Sequence, residues 1–281
     1  MKTLYITDLD GTLLDNDAHI SPRSAAILSD LSRRGALISI ATARTPATVV
    51  PLMADTHTDT DLVVMTGAAT WNRREARFDD IITIAPDQAR KVMQVIDDSE
   101  VSPFCYTLSP DRHCLEVYHS GGCYNSAEQE FVDERSNLAL KTFHPHCHTP
   151  EDALDRMVLA FAIGAHQPIV DVAERLRYTT GCYVSYYKDT YHEDTWLLEI
   201  FAQGVSKAAG VQRLARRLGA DRIVAFGDNL NDIPMLNVAT VGVAVDNALD
   251  EVKGIADVVI GANTDDSVAL YIQEDFYNTQ Q

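Results

Sequence analysis

Short apolar runs alternate with amphipathic segments in both outer thirds of this chain. Four such runs cover residues 3–7, 36–41, 62–65 and 222–226, and two more cover residues 240–245 and 257–260. Each run is bounded by polar residues or glycine. Apolar runs of this length are typical of strands that are buried on both faces of a parallel sheet. We therefore predict parallel strands at these positions.

Helical patterns separate the runs. Ser21 followed by Pro22 is typical of a helix N-terminus, with a capping hydroxyl and a proline in the first turn. Gly35 ends this helix, and residues 206–218 carry a second helical pattern. The apolar positions in phase are Ala26, Ile27, Leu28 and Leu31 in the first helix and Val211, Leu214, Ala215 and Leu218 in the second. Strands that alternate with helices predict an α/β doubly wound domain.

The middle of the chain breaks this rhythm. A helix is predicted near residues 86–99, and alternating stretches such as FCYTLS, CLEVYH, MVLAFAIG, CYVSYYKD and TWLLEIFA follow it. Paired strands with intervening helices are typical of an α+β unit. We predict a discontinuous core made of residues 1–83 and 203–281, with an α+β domain inserted at residues 84–202.

Composition narrows the classes of function. The formal net charge is −18 over 281 residues, which argues against non-specific binding to nucleic acid or to an anionic membrane. No apolar run approaches the ~18 residues of a membrane span, and the N-terminus lacks the pattern of a signal peptide, so we expect a cytoplasmic protein. Free thiols are expected, because the number of cysteines is odd and no CxxC pair occurs. They are Cys105, Cys114, Cys123, Cys147 and Cys182.

Two aspartates follow the first predicted strand, in the stretch YITDLDGTLLDND. Asp8 and Asp10 lie where ligands bind in doubly wound sheets, beyond the carboxyl ends of the strands. Like charges repel at this spacing, and burying them unpaired is costly. We therefore expect a positive group to lie between them.

Three further segments complete the predicted site. AFGDNLNDIPML supplies Asp228, Asn231 and Asp232 after another strand, GVSK supplies Lys207 in the first turn of a helix, and ATART supplies Thr42. Carboxylate oxygens with few neutral donors suit Mg²⁺, which is usually held by one or two carboxylates together with water and phosphate. Lysine and helix N-termini suit phosphate. The residues therefore predict a magnesium ion and a phosphoryl group.

The segments DLDGTLL, ATAR, GVSK and GDNLND, in this order, resemble the four motifs of the haloacid dehalogenase superfamily of aspartyl phosphohydrolases. The insertion between the second and third motifs resembles the α+β cap of the Cof-type branch, subclass IIB. The resemblance implies a Rossmann-like core and a cap that selects the substrate. It also implies Mg²⁺-dependent hydrolysis of small phosphorylated metabolites, such as sugar phosphates, through an aspartyl phosphate.

The same resemblance implies a role for each acidic residue. Asp8 would be the nucleophile, and Asp10 would be the general acid and then the general base. The metal would be held by the carboxylates of Asp8 and Asp228 and by the backbone carbonyl of Asp10. Asp232 would orient the metal's waters or Lys207, although as a helix N-terminal cap it would look the same in the sequence.

The phosphoryl group would be bound by residues of all four motifs. Thr42 and Lys207 would hold its oxygens, and Asn231 would help to position them. Gly11, in the first motif, and Ala43, beside Thr42, would also contact the phosphoryl group. Two departures from the family pattern affect substrate placement: Thr42-Ala43-Arg44 replaces Thr-Gly-Arg, and Thr66-Gly67-Ala68 replaces Asn-Gly-Ala.

Other features leave alternatives open. In HPHCHT, His144, His146 and His148 could hold a transition metal, but a polar loop of the cap is the simpler interpretation. Tyr183, Tyr186, Tyr187 and Tyr191 suit strand-face packing, and one or two of them could line a substrate pocket. A sugar phosphomutase and a receiver-type signalling domain are the rival functions. The sequence does not specify the substrate or the oligomeric state.

Overall fold

The computed structural model describes residues 1–121, 124–189 and 192–279. Within these residues the chain forms fourteen strands and ten α-helices. In chain order they are β1 (Thr3–Thr7), α1 (Pro22–Arg33), β2 (Leu37–Ile40), α2 (Pro46–Leu52), β3 (Leu62–Val64), β4 (Ala69–Asn72), β5 (Arg77–Asp79), α3 (Pro86–Asp97), β6 (Phe104–Leu108), β7 (Leu115–His119), α4 (Ser126–Arg135), β8 (Lys141–Pro145), α5 (Glu151–Leu154), β9 (Met157–Gly164), α6 (His166–Thr179), β10 (Tyr183–Lys188), β11 (Trp196–Phe201), α7 (Lys207–Leu218), β12 (Arg222–Gly227), α8 (Ile233–Val238), β13 (Val241–Ala244), α9 (Asp250–Ile255), β14 (Val258–Val259) and α10 (Ser267–Thr279).

The chain folds as two compact units. The first consists of residues 1–79 and 206–281, and the second of residues 80–205. The sequence predicted the division after residues 83 and 202. The two units are described separately below, as the core and the inserted unit.

A parallel sheet of five strands forms the centre of the core, in the order β14-β13-β12-β1-β2. In the register of the central strands, Thr7 lies opposite both Phe226 and Ile40. The carboxyl ends of β1, β2 and β12 therefore lie together at one edge of the sheet. Asp8 follows β1, and Thr42 and Asp228 follow the neighbouring strands closely, so the sheet gathers these side chains at one edge, as α/β topology requires.

The prediction of a parallel strand at residues 62–65 is wrong in part. β3 has only three residues and belongs to a separate antiparallel sheet, β3-β4-β5. A single parallel bridge, from Val63 to Ala41, links it to the region after β2. The chain reverses immediately after β3, through left-handed backbone at Met65, Thr66 and Gly67, so β4 returns along β3 and pairs with it.

The predicted helix starts are confirmed. The Ser21 hydroxyl accepts a hydrogen bond from the backbone N–H of Ser24 at 3.0 Å, and Pro22 is the first residue of α1. The Ser206 hydroxyl accepts from the N–H of Ala209 at 3.1 Å and caps α7. Both caps satisfy a backbone donor that the helix itself leaves unpaired.

The inserted unit is built on a sheet of six strands, in the order β10-β11-β9-β6-β7-β8, and only the β7–β8 pair is parallel. Helices α3 and α6 cover one face, where Val92 and Val172 pack with Ala160. On the other face Phe131 of α4 packs against Phe104, with their ring centroids 5.0 Å apart and their planes tilted by 43°. The unit is therefore α+β, as the alternating stretches predicted.

The cysteines and histidines of this unit form no metal site among the described residues. Cys105, Cys114, Cys147 and Cys182 are free thiols, as predicted, and Cys123 lies outside the described residues. His144 stacks on Tyr118 at 4.5 Å, and His146 Nδ1 lies 2.9 Å from the carbonyl oxygen of Gly121. Nowhere in the described parts of the chain do His144, His146 or His148 belong to a group of three residues able to bind one ion.

The tyrosines of β10 point to both faces of the sheet. Tyr186 packs near Trp196, whereas Tyr183 and Tyr187 are 45% and 41% exposed. Tyr191 lies outside the described residues.

None of the described helices is both long enough and apolar enough to cross a bilayer.

Candidate active site

The loop after β1 starts the site. The backbone N–H of Asp8 donates to the carbonyl of Phe226 at 3.0 Å, which fixes the end of the strand. A tight turn follows, Leu9–Leu13, in which the N–H of Leu14 donates to the carbonyl of Leu9 at 2.8 Å and Gly11 has a φ of 75°. A Cβ at Gly11 would lie 2.5 Å from Oδ2 of Asp228, so the loop passes against that carboxylate closely enough to require glycine.

Lys207 enters the site from the first position of α7. Its side chain is 2% exposed, and its Nζ lies 2.8 Å from Oδ1 of Asp8 and 2.7 Å from Oδ1 of Asp232. Asp8 is also buried, with 5% of its surface exposed. The ammonium group therefore holds two carboxylates that lie far apart in the sequence.

The carboxylate of Asp232 accepts two sets of hydrogen bonds, one on each oxygen. It is fully buried, and while its Oδ1 accepts from Lys207, its Oδ2 accepts from the backbone N–H groups of Asp228 and Asn229 at 3.1 and 3.2 Å. The bond from the Asn229 N–H is part of a capping box at the start of the short helix Leu230–Asp232. The cap and the lysine partner, which the sequence offered as alternatives, are therefore both present in one carboxylate.

Asp228 completes an acidic cluster. One carboxylate oxygen from each of Asp8, Asp228 and Asp232 lies within 4.8 Å of the others. The Thr12 hydroxyl donates to Oδ1 of Asp228 at 2.8 Å and fixes its orientation. Three carboxylates and one ammonium, that of Lys207, leave a formal excess of two negative charges in a mostly buried volume.

The electrostatics follow from this excess. Burial raises the pKa of Asp8, and Asp232 raises it further, while the ammonium of Lys207 opposes both. Burial likewise raises the pKa of Asp228 to about 6, against the hydrogen bond from Thr12. Burial alone would lower the pKa of Lys207, but Asp8 and Asp232 raise it above its usual range, so the lysine stays charged.

The cluster fits a divalent cation. Its donors are carboxylate oxygens, which are the hard ligands that Mg²⁺ and similar ions prefer. Two positive charges would balance the formal excess of the four side chains. Asp8 and Asp228 are the natural ligands, because both oxygens of Asp232 are already engaged by Lys207 and by backbone N–H groups.

Asp10 lies outside this cluster. Its carboxylate accepts two hydrogen bonds from the guanidinium of Arg44, with Nε–Oδ2 at 2.8 Å and Nη2–Oδ1 at 2.5 Å. The Asp10 side chain is 53% exposed. The structure thus separates the two aspartates of the first motif: one faces the buried lysine, and the other is held by an arginine at the surface of the core.

The loop after β2 carries Thr42 and Ala43. Thr42 is buried, and its hydroxyl oxygen accepts from the backbone N–H of Arg44 at 3.2 Å. Its carbonyl accepts from the N–H of Thr66 at 3.0 Å. Ala43 is not among the residues with a positive φ, so alanine fits here in place of the family's glycine. Asn231 is exposed, one residue before Asp232.

Some residues of the site were missed by the sequence reasoning. Arg44 and Thr12 adjoin predicted residues, but only the structure shows that they bind Asp10 and Asp228. Asn247 donates from its side chain to the carbonyl of Gly11 at 2.7 Å. Its position just after β13, at the same edge of the sheet, was the available signal.

Comparisons with known proteins identify the family of this chain. A model of the haloacid dehalogenase-like hydrolase family matches residues 5–272. The chain belongs to the haloacid dehalogenase-like hydrolases. The resemblance drawn from the four motifs is therefore confirmed, and so is the α/β core with an α+β insertion.

Curated relatives in this family cover nearly the whole chain. The 5-amino-6-(5-phospho-D-ribitylamino)uracil phosphatase YitU of Bacillus subtilis is 26% identical over 97% of this chain and 97% of its own length. The pyridoxal phosphate phosphatase YbhA of Escherichia coli is 26% identical over 94% of this chain and 95% of its own length. The predicted class of enzyme, a phosphoric monoester hydrolase of this family, is confirmed at that level.

Solved structures share the fold. A haloacid dehalogenase-like hydrolase from Bacteroides thetaiotaomicron superposes with a TM-score of 0.79 at 22% identity, covering 98% of this chain and all of the other. A sugar phosphatase described as belonging to subclass IIB gives a TM-score of 0.72 at 20% identity, over 98% of this chain and 99% of its own. At these identities the likeness concerns the fold alone.

Proposed function

We propose that this protein is a Mg²⁺-dependent phosphatase that hydrolyses small phosphorylated metabolites, such as sugar phosphates, through an aspartyl phosphate on Asp8. The observation that carries the proposal is the position of the Asp8 carboxylate. It is buried at the end of β1, with one oxygen 2.8 Å from the Lys207 ammonium and with Asp228 beside it. A carboxylate held in this way is oriented for attack, and lysine neutralises charge on a phosphoryl group.

These positions support the following first half-reaction. An oxygen of Asp8 attacks phosphorus, the bond from phosphorus to the leaving oxygen breaks, and Asp10 gives that oxygen a proton. Lys207, the Thr42 hydroxyl and the Asn231 side chain bind the phosphoryl oxygens, and Gly11 and Ala43 belong to the loops around them. Mg²⁺, when bound by Asp8, Asp228 and the Asp10 carbonyl, supplies charge neutralisation to the phosphoryl group.

The second half-reaction regenerates the enzyme. Asp10 takes a proton from water, the water oxygen attacks phosphorus, and the bond between phosphorus and Asp8 breaks to release phosphate. Asp232 keeps Lys207 in place through both steps, because it binds the ammonium at 2.7 Å and is itself fixed by two backbone N–H groups.

Substrate preference is proposed to depend on the inserted unit, residues 84–202, because all four motifs lie outside it. The two curated relatives are named as phosphatases of a phosphorylated ribitylaminouracil and of pyridoxal phosphate. These are small metabolites with a ring and a single phosphate, and we extend that class to this chain. A panel of such esters, together with hexose phosphates, would identify the preferred substrate.

The decisive experiment replaces Asp8 with Asn. An amide is a poor nucleophile towards phosphorus, so we expect turnover of 4-nitrophenyl phosphate to fall to background while the circular dichroism spectrum is unchanged. Asp17→Asn, on an exposed aspartate nearby in the same segment, is the matched control and should keep full activity. Substantial activity in Asp8→Asn would overturn the covalent mechanism.

Product analysis distinguishes a phosphatase from a phosphomutase. With a hexose 1-phosphate as substrate, a phosphatase releases inorganic phosphate and free sugar. A mutase instead returns the phosphoryl group to the sugar and yields the 6-phosphate. A persistent phosphoenzyme without turnover would favour a receiver-type signalling function.

A further inference from the structure

The structure assigns Arg44 as a positioning residue that holds the Asp10 carboxylate in its working orientation. This inference rests on the proposed function and concerns its second half-reaction, in which Asp10 acts as a carboxylate and takes a proton from water. Its basis is the paired contact described above: two guanidinium nitrogens bind the two oxygens of one carboxylate, at 2.8 and 2.5 Å. Such a forked pair fixes the plane of the carboxylate as well as its distance.

Asp10 needs a partner of this kind. Its side chain is 53% exposed, and its backbone leaves the helical region, with φ −70° and ψ 120° inside the turn Leu9–Leu13. An exposed aspartate samples several rotamers unless something fixes it. A general base must lie within hydrogen-bond reach of the attacking water, so lost orientation lowers the rate of the second half-reaction directly.

The backbone of Arg44 is held by two hydrogen bonds. Its backbone N–H donates to the Thr42 hydroxyl at 3.2 Å, and its carbonyl accepts from the N–H of Met65 at 3.0 Å. Met65 and Thr66 both have left-handed backbone, with φ values of 52° and 56°. This conformation is rare for a β-branched residue such as Thr66 and persists only where the surroundings impose it.

The anchoring has a consequence for the site. Arg44 joins the loop of Thr42, a proposed phosphoryl ligand, to Asp10, the proposed general base. One arginine therefore sets the position of the acid–base group relative to the phosphoryl group. Arg44 and Asp10 are 34 positions apart in the sequence.

The test is a double-mutant cycle with Arg44→Ala, Asp10→Asn and the double variant, assayed with 4-nitrophenyl phosphate. This substrate has an activated leaving group, so the rate of the initial nitrophenolate burst stays measurable in the Asp10→Asn background. If Arg44 acts through Asp10, Arg44→Ala lowers kcat on the order of tenfold in the wild-type background, with KM little changed. In the Asp10→Asn background the same substitution changes the burst and steady-state rates less than about twofold.

Further variants isolate the orienting effect. Guanidinium ion at millimolar concentration should restore part of kcat in Arg44→Ala but not in the double variant. Arg44→Lys keeps the charge without the fork and should fall between wild type and Arg44→Ala. Arg34→Ala, which removes an exposed guanidinium paired with Asp30, is the matched control and should leave kcat and KM unchanged. If Arg44→Ala does not fold, Arg44→Gln takes its place in the cycle.

Two outcomes overturn the inference. Equal losses of kcat in both backgrounds would mean that Arg44 acts independently of Asp10. A rise in KM in both backgrounds would mean that Arg44 binds the substrate itself. Failure of the proposed function gives a different result: Asp10→Asn alone would then keep nearly wild-type activity, whatever Arg44→Ala does.

Discussion

The Nζ of Lys207 lies 2.7 Å from Oδ1 of Asp232, and neither side chain is more than 2% exposed. A buried pair of this kind is costly to break, because the group that remains is a buried, unpaired charge. Here the lysine also faces Asp8, so its removal would leave the three carboxylates of the cluster without a protein cation.

We therefore expect Lys207→Met to lower both activity and stability. Without metal, the free energy of unfolding should fall by ~3–5 kcal/mol, which is the cost of leaving a buried charge unpaired. Thermal or denaturant unfolding in a chelator measures it, and turnover of 4-nitrophenyl phosphate should be nearly abolished.

Lys91→Met provides the matched control, because it removes an exposed lysine of α3. It should leave the unfolding midpoint and kcat unchanged. Equal stability of Lys207→Met and wild type would show that the buried pair adds nothing to the fold.

Asp10→Asn should slow the second half-reaction more than the first. A nitrophenolate leaving group needs little protonation, so the nitrophenolate burst should survive while steady-state hydrolysis falls ~10²–10⁴-fold. Because the metal contact proposed for Asp10 is its backbone carbonyl, the apparent affinity for Mg²⁺ should remain close to that of wild type. Asp228→Ala is the comparison, since it removes a proposed carboxylate ligand. A loss of Mg²⁺ affinity in Asp10→Asn as large as in Asp228→Ala would contradict this division of roles.

Much of the core could be predicted from the sequence, because strands buried on both faces leave apolar runs with sharp polar ends. The predicted strand at residues 3–7 and the capped helix start at Ser21 match the structure. β3 was assigned to the wrong sheet, because pairing is decided by the left-handed turn at Met65–Gly67, which apolar periodicity does not reveal. In the inserted unit, α4 was missed, since few of its residues are apolar. Its signal was the capping box between Asn125 and Glu128.

The site was harder to predict in its pairings than in its residues. The four motifs indicated Asp8, Lys207 and Asp228, because binding a metal ion and a phosphoryl group requires particular residue types at strand ends and helix starts. The contact between Arg44 and Asp10 depends on how two loops approach in space, and no local spacing encodes it. The two simultaneous bonding partners of Asp232 likewise became visible only in three dimensions.

Divalent cations should stabilise the core, and the gain should increase with the concentration of the cation. A ligand that binds only the folded state raises stability by RT ln(1 + [L]/Kd), so the melting temperature should rise with added Mg²⁺. Asp228→Asn should remove most of this rise, because it deletes a ligand and one negative charge. No dependence of the melting temperature on Mg²⁺ in the wild-type protein would argue against a metal site in the cluster.

Ca²⁺ should occupy the same cluster without supporting turnover. It accepts more ligands than Mg²⁺ and often binds carboxylates through both oxygens, which would engage the oxygen of Asp8 that must attack. Steady-state hydrolysis at fixed Mg²⁺ and rising Ca²⁺ should show inhibition that excess Mg²⁺ reverses. Equal activity with Ca²⁺ alone, or full activity in a chelator, would mean that Asp8 is not both ligand and nucleophile.

Lys141, in β8 of the inserted unit, should make stability depend on pH. Only 7% of its surface is exposed, and its Nζ lies 5.2 Å from the ring centroid of Tyr106 and 5.6 Å from that of Phe143. Burial lowers the pKa of Lys141 to about 7, and the neighbouring charge of Arg135 contributes to the decrease. In the unfolded chain this lysine has its ordinary pKa, near 10.4.

The sign of the effect follows from proton linkage. Between pH 7 and 9 the unfolded chain keeps the proton on Lys141, whereas the folded unit has increasingly lost it, so stability rises with pH by up to ~1.4 kcal/mol per unit. Lys141→Met removes this pH dependence and should raise the unfolding midpoint at pH 7, because the methionine side chain is uncharged and similar in length to that of lysine. The gain should shrink as the pH approaches 9. Lys91→Met, the exposed control, should keep the wild-type dependence of the free energy of unfolding on pH. The same dependence in Lys141→Met and in wild type would show that Lys141 is charged in the folded protein throughout this range.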